Sequence, residues 1–199
     1  MSVKLDPWLT TLVNSRREVA WFSMPKCGTQ ALEHSALFQE EMIRIYTPMP
    51  IWEKKFEEGD ALNYLKVVLI RDPVSRLASC YANKRFHHIK NAAGGTVFES
   101  FDDFIDWLDE DTIALDQHWR PQVDMLPDLD KIDIISAFPN IEDTYRRVCE
   151  LTKLDYVTLP KKNVSSKNDK PVITTDQESR INGIYKEDFE LYAKLLCLD

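Results

Sequence analysis

Residues 64–81 constrain the fold more than any other stretch. Residues 64–70 read YLKVVLI and end in the unbroken apolar run Val67, Val68, Leu69, Ile70. Such a run belongs to a strand covered on both faces, as in the centre of a parallel sheet. Arg71, Asp72 and Pro73 follow at once. Asp72 has the residue type of a helix N-cap, and Pro73 that of a first helical position. Val74, Leu77, Ala78 and Tyr81 then recur at helical spacing and are expected to face the core, with Ser75, Arg76 and Ser79 off that stripe. A strand that feeds a helix with no loop between them is half of a βαβ unit.

The rest of the chain repeats this alternation. Residues 18–23, 41–46 and 132–136 read as further strands. Residues 29–38, 73–85, 101–110, 140–152 and 176–197 read as helical. The fold class expected is α/β, a three-layer α/β/α sandwich around a central, mostly parallel sheet, with residues 1–199 as a single domain. A chain of 199 residues buries roughly 70% of its unfolded surface and needs no staple. Ligands of such folds bind at the carboxyl ends of the strands.

Charge and cysteine content narrow the function. The net charge is −8, which makes the chain a poor general binder of nucleic-acid backbone, so no nucleic-acid partner is expected. A local pocket can still hold an anion. Cys27, Cys80, Cys149 and Cys197 form no CxxC pair, so no metal is expected. The first twenty residues carry Lys4, Asp6, Arg16, Arg17 and Glu18, unlike a secretory leader. Reduced thiols and a cytoplasmic location are the expectation. No apolar run approaches the ~20 residues of a membrane span, so no membrane partner is expected either.

Two constellations carry chemistry. Residues 22–30 read FSMPKCGTQ, a strand end, a tight turn and a helix start. Gly28 permits backbone geometry that other residues resist. The amides of a helix start attract an anion, Lys26 adds a point charge and Thr29 a hydroxyl. The kinase-type loop GxxxxGK places its lysine after the second glycine, whereas Lys26 precedes Gly28. Taken alone, the string also fits an ordinary strand–helix turn with a surface lysine. The second constellation, residues 71–81, reads RDPVSRLASCY. Arg71 stands at the mouth of the sheet, where its planar fork suits a phosphate. Arg71 and Ser79 are expected to converge on one anion; the alternative is a capped helix with arginines in surface pairs.

In this order and spacing the two motifs resemble the sulfotransferases that use 3′-phosphoadenosine 5′-phosphosulfate (PAPS), in particular the carbohydrate (Golgi-type, family 2-like) branch, here in a soluble short form. The resemblance implies a P-loop-like, nucleotide-binding sulfotransferase fold with PAPS as co-substrate. It implies that Lys26, Cys27, Gly28, Thr29 and Gln30 cradle the 5′-phosphosulfate, and that Arg71 and Ser79 hold the 3′-phosphate. Residues 118–122 (HWRPQ) look like a family signature. Residues 163–167 (NVSSK) resemble a loop that closes over the nucleotide, which adds Ser165, Ser166 and Lys167. Residues 185–192 (YKEDFELY) are similar to the closing acidic-aromatic segment. Cys27 departs from the residue types usual at its place.

The activity implied is transfer of a sulfuryl group to a hydroxyl of a carbohydrate or other small acceptor. Lys26 would neutralise the departing phosphate oxygen, and a base would take the hydroxyl proton. His34 is the first candidate base. It lies five residues after Thr29, roughly 7 Å along a helix, with its side chain leaning back toward the helix start. Some relatives place their base at the matching offset. Packing against Leu37 and Phe38 is the alternative role of His34. His118 is the rival base, and Glu33 points elsewhere. His87 and His88 fall in a basic patch with Lys84, Arg85 and Lys90, read as a solvated helix end. The acidic residues 99–111 read as a solvated helix and argue against a heavily sulfated acceptor. Two other function classes remain. A P-loop kinase or phosphohydrolase would need magnesium, and a non-catalytic nucleotide-binding homologue would bind donor without turnover.

Overall fold

The apolar run at residues 67–70 forms the end of a strand whose last four residues are all buried. Both faces of the sheet are therefore covered at this point. The structure is a computed structural model and describes residues 8–48, 63–84, 98–126, 128–161 and 170–197. Its strands are β1 (Trp8–Asn14), β2 (Val19–Ser23), β3 (Ile43–Pro48), β4 (Leu65–Ile70) and β5 (Ile134–Ala137). They form one five-stranded sheet in the order β3-β1-β2-β4-β5. β2 pairs with β4, and β4 with β5, in parallel; β1 runs antiparallel to both of its neighbours. Four strands thus share one direction, and Val68 stands in register with Phe22 on one side and Ile135 on the other. This is the mixed, mostly parallel sheet expected of an α/β fold.

β1 was not foreseen. Thr11 and Asn14 are fully buried in it, which spoils the polar–apolar alternation by which a strand is recognised. Asn14 is retained inside because its amide donates to the Leu37 carbonyl at 2.6 Å and its side-chain oxygen accepts from the Arg17 amide at 3.0 Å.

The helices are α1 (Thr29–Glu33), α2 (Ala36–Glu40), α3 (Pro73–Lys84), α4 (Phe101–Trp107), α5 (Ile141–Leu151), α6 (Thr175–Ile184) and α7 (Lys186–Leu196). The single helix expected over residues 29–38 is two short ones. α1 ends at His34, and α2 restarts after Ser35, whose backbone is extended. The break lets both Leu32 and Leu37 be fully buried, which one continuous helix lying on a flat sheet would not favour. α3 begins as its residues predict: the Ser75 amide donates to the Asp72 carboxylate at 2.7 Å. α4 carries a capping box between Ser100 and Asp103, and α6 one between Thr174 and Gln177. Buried apolar residues form two clusters. One surrounds the sheet. The other joins α3, α4 and α6 around Phe104 and Trp119, with rings of Tyr81, Phe98, Phe101 and Trp107 in contact.

One expectation for α3 is overturned. Leu77, Ala78 and Tyr81 are buried as predicted, but so are Arg76 and Ser79, at 2% and 4% exposure. The stripe argument assumes a helix with one wet face. α3 has none along this length, because the second cluster covers one side and the chain around residues 116–122 covers the other.

Candidate active site

β2, β4 and β5 are parallel, so the chain segments that follow them meet at one edge of the sheet. After β2 the chain turns through residues 24–28. Lys26 takes a left-handed backbone with φ 71°, and Gly28 follows with φ 81°. A left-handed backbone at a residue with a side chain costs roughly 1–2 kcal/mol, and such geometry persists only where neighbours fix it. The neighbours here are specific. The Cys27 amide donates to the Met24 carbonyl at 3.1 Å. Arg71 Nη1 donates to the Lys26 carbonyl at 2.6 Å, and Arg76 Nε donates to the Pro25 carbonyl at 3.3 Å. Gly28 has a second reason to be glycine. A Cβ there would lie 2.5 Å from Ile141 Cδ1 and 3.2 Å from a ring carbon of Phe138.

Helix α1 opens directly after this turn. The Ala31 and Leu32 amides both close on the Gly28 carbonyl, while Thr29 and Gln30 lead the helix, where helical geometry provides no acceptor for their amides. The Thr29 and Ser23 hydroxyls share a hydrogen bond of 2.6 Å. Because α1 is only five residues long, an anion here would rest on individual amides and on Lys26 more than on a helix dipole. Gln30 is exposed, and its Nε2 donates to Glu33 at 3.0 Å. Cys27 is buried, and burial pushes its thiol up to about 11.

Arg71 ends β4. Its guanidinium donates to the Lys26 carbonyl and, at 2.8 Å, to the Ser75 hydroxyl. It also lies over the Phe138 ring, 5.0 Å from the centroid. Burial lowers its pKa. The two motifs are thus in direct contact through one arginine. Ser79 lies four residues beyond Ser75 on α3, about 6 Å along the axis, and is buried. No hydrogen bond joins it to Arg71 among the described residues. Ser165, Ser166 and Lys167 lie outside the described residues, as do His87, His88, Arg85 and Lys90 of the basic patch.

The two histidines have different settings. His34 is exposed at the end of α1, with Nδ1 2.8 Å from the Gln30 carbonyl. Its ring therefore does lean back toward the helix start. Glu33 is buried, and it holds Gln30 and forms an ion pair with Arg44. His118 is half-buried, with Nδ1 2.5 Å from an oxygen of Asp116.

Several residues that shape the site are not among the site residues expected from sequence, although most fall within the segments 71–81, 118–122 and 185–192. Arg76 donates to the carbonyls of Pro25, Gln117 and Arg120, clamping the signature segment to the turn after β2. Gln122 brackets Arg71, accepting from its amide at 3.0 Å and donating to its carbonyl at 2.9 Å. Asp188, fully buried, accepts from the amides of Gln122 and Val123 and from Gln122 Nε2. Tyr185 donates to the Trp119 carbonyl at 2.5 Å. The acidic-aromatic run of α7 therefore supports the HWRPQ segment from behind. Phe138 packs against both Gly28 and Arg71, and its only sequence signal is its place at the end of β5.

Among the described residues no cluster of acidic, histidine or cysteine side chains has the makings of a metal site, and no helix is long and apolar enough to cross a membrane. No curated protein and no solved structure matches the chain. The family model of sulfotransferases matches it over residues 10–194, a span that takes in both motifs, the HWRPQ segment and most of α7. The chain belongs to the sulfotransferase family.

Proposed function

We propose that the chain transfers a sulfuryl group from PAPS to a hydroxyl of a carbohydrate or other small acceptor. The observation that carries this reading is the contact between the two motifs. Arg71, from the segment assigned to the 3′-phosphate, holds the carbonyl of Lys26, in the turn assigned to the 5′-phosphosulfate. One nucleotide with phosphates at both ends fits a site in which the two turns are adjacent.

The chemistry asks little of the protein beyond position and charge. The Thr29 and Gln30 amides would hold sulfuryl oxygens. Lys26 would stabilise the charge that builds on the departing phosphate oxygen. Arg71 and Ser79 would take the 3′-phosphate, with Arg71 keeping the Lys26 turn in shape. Ser165, Ser166 and Lys167 would cover the nucleotide. A base takes the acceptor proton, and His34 and His118 are its candidates. Four free cysteines support a reducing compartment such as the cytosol.

The test is transfer from radiolabelled PAPS to a panel of free hexoses, unsulfated glycans and phenols. Label reaching an acceptor, with a loss of ~10²–10³ in Lys26→Ala, is the expected result. Donor that binds tightly yet never loses its label would overturn the catalytic reading and leave a nucleotide-binding protein.

A further inference from the structure

Asp116 makes two bonds with one oxygen. Its Oδ1 accepts from the His118 amide at 2.8 Å and lies 2.5 Å from His118 Nδ1. A carboxylate only accepts, so Nδ1 carries the proton and Nε2 is the basic nitrogen of the ring. Both side chains are 21% exposed.

The pair also stands in a fixed place relative to the turn after β2. Gln117 and Arg120, on either side of His118 in sequence, give their carbonyls to the Arg76 guanidinium, whose third acceptor is Pro25. Further along, Gln122 binds the backbone of Arg71. Trp119, next to His118, is fully buried, with its indole donating to the Thr112 carbonyl at 3.0 Å. The segment that carries His118 is thus fastened to Pro25 on one side and to Arg71 on the other. His34, by contrast, is exposed, and its Nδ1 meets a neutral backbone carbonyl.

We propose that His118 is the general base of the transfer and that Asp116 is its positioning residue. This rests on the sulfotransferase reading above. In the step, the acceptor hydroxyl oxygen forms a bond to the donor sulfur while its proton passes to His118 Nε2. The bond from sulfur to the bridging phosphate oxygen breaks, and its electron pair leaves with 3′-phosphoadenosine 5′-phosphate. His118 then returns the proton to solvent. Asp116 fixes the tautomer and steadies the imidazolium, the part a carboxylate plays beside a catalytic histidine in general.

Asp116 also shapes the local turn, so the decisive variant is Asp116→Asn. Asparagine keeps the turn-forming oxygen and removes only the charge. Release of 3′-phosphoadenosine 5′-phosphate from PAPS is followed with water, free hexoses and phenols as acceptor probes. Affinity for 3′-phosphoadenosine 5′-phosphate is read in parallel. His118→Ala is expected to lose ~10²–10⁴ in turnover at unchanged affinity, with partial rescue by added imidazole. Asp116→Asn is expected to lose about tenfold or more in kcat, with KM held. His34→Ala is expected to lose at least tenfold less than His118→Ala. Nitrogen-detected NMR of the His118 ring, with the proton on Nδ1 in the native chain and a mixed tautomer in Asp116→Asn, tests the pair even if His118→Ala does not fold.

Wild-type turnover in His118→Ala or Asp116→Asn, or a native ring protonated on Nε2, would overturn the proposal. Loss of the underlying sulfotransferase reading looks different: the native chain itself then yields no product from any probe, or fails to bind 3′-phosphoadenosine 5′-phosphate at all.

Discussion

The turn at residues 24–30 and the segment at residues 116–126 face each other across Arg76 and are built on opposite principles. The turn is backbone-led. It carries two left-handed residues in three positions and is fixed from behind through its carbonyls, at Pro25 by Arg76 and at Lys26 by Arg71. Its leading amides, at Thr29 and Gln30, have no acceptor within the helix. The second segment has only a single 3-10 turn at Val123–Met125, yet buried side chains hold it on every side: Arg76, Gln122, Tyr185 and Asp188. A wall that presents backbone to a ligand is braced through its carbonyls, and a wall that presents a side chain is braced through buried polar groups.

The largest effect should come from breaking the second wall. Asp188→Ala leaves the buried amides of Gln122 and Val123 without their acceptor. It should cost roughly 3–5 kcal/mol, a fall of roughly 10 °C in Tm, read by thermal and denaturant unfolding. The first wall should respond in function and not in stability. Lys26→Ala should lower turnover by ~10²–10³ with Tm unchanged within about 2 °C. If it unfolds the chain, the turn is structural and the comparison fails.

Gly28→Ala lies between these. It meets both the left-handed backbone and the 2.5 Å approach of Ile141, so a loss of roughly 1–3 kcal/mol together with weaker binding of 3′-phosphoadenosine 5′-phosphate is expected. The smallest effect concerns Cys27. Burial raises its thiol to about 11 from 9.0, so the folded state holds this proton more tightly than the unfolded chain. The resulting stability is fully present below pH 9 and is lost as pH rises toward 11, by up to ~1.4 kcal/mol per pH unit. Cys27→Ala should flatten that part of the stability profile, as read from denaturation midpoints between pH 8 and 11.

The parts of this molecule legible in sequence are those set by local chemistry. The strand at residues 65–70, the Asp72 cap and the turn around Gly28 each announce themselves within a dozen residues. Arg76 does not, because its acceptors arrive from residues 25, 117 and 120. Its charge therefore reads as solvent-facing until the long-range contacts are known. Asp188 is hidden in the same way, since an acidic residue in the first turn of a helix is expected anyway, and only the fold brings Gln122 and Val123 to it. β1 is not legible because two buried polar residues, Thr11 and Asn14, interrupt its apolar pattern, and the partners of Asn14 come from α2 and the following turn. The helix break at His34 was missed because no glycine or proline marks it; packing of Leu32 and Leu37 decides it. Asp116 gave no signal beside His118, since an acid two residues before a histidine is an ordinary turn.

Two turns that share one nucleotide are the centre of the proposed function. The most direct test is calorimetric titration with 3′-phosphoadenosine 5′-phosphate, run against ATP and adenosine 5′-phosphosulfate. Tight binding that requires the 3′-phosphate, and that weakens in Arg71→Ala, is the predicted result. Equal affinity for all three ligands would contradict it.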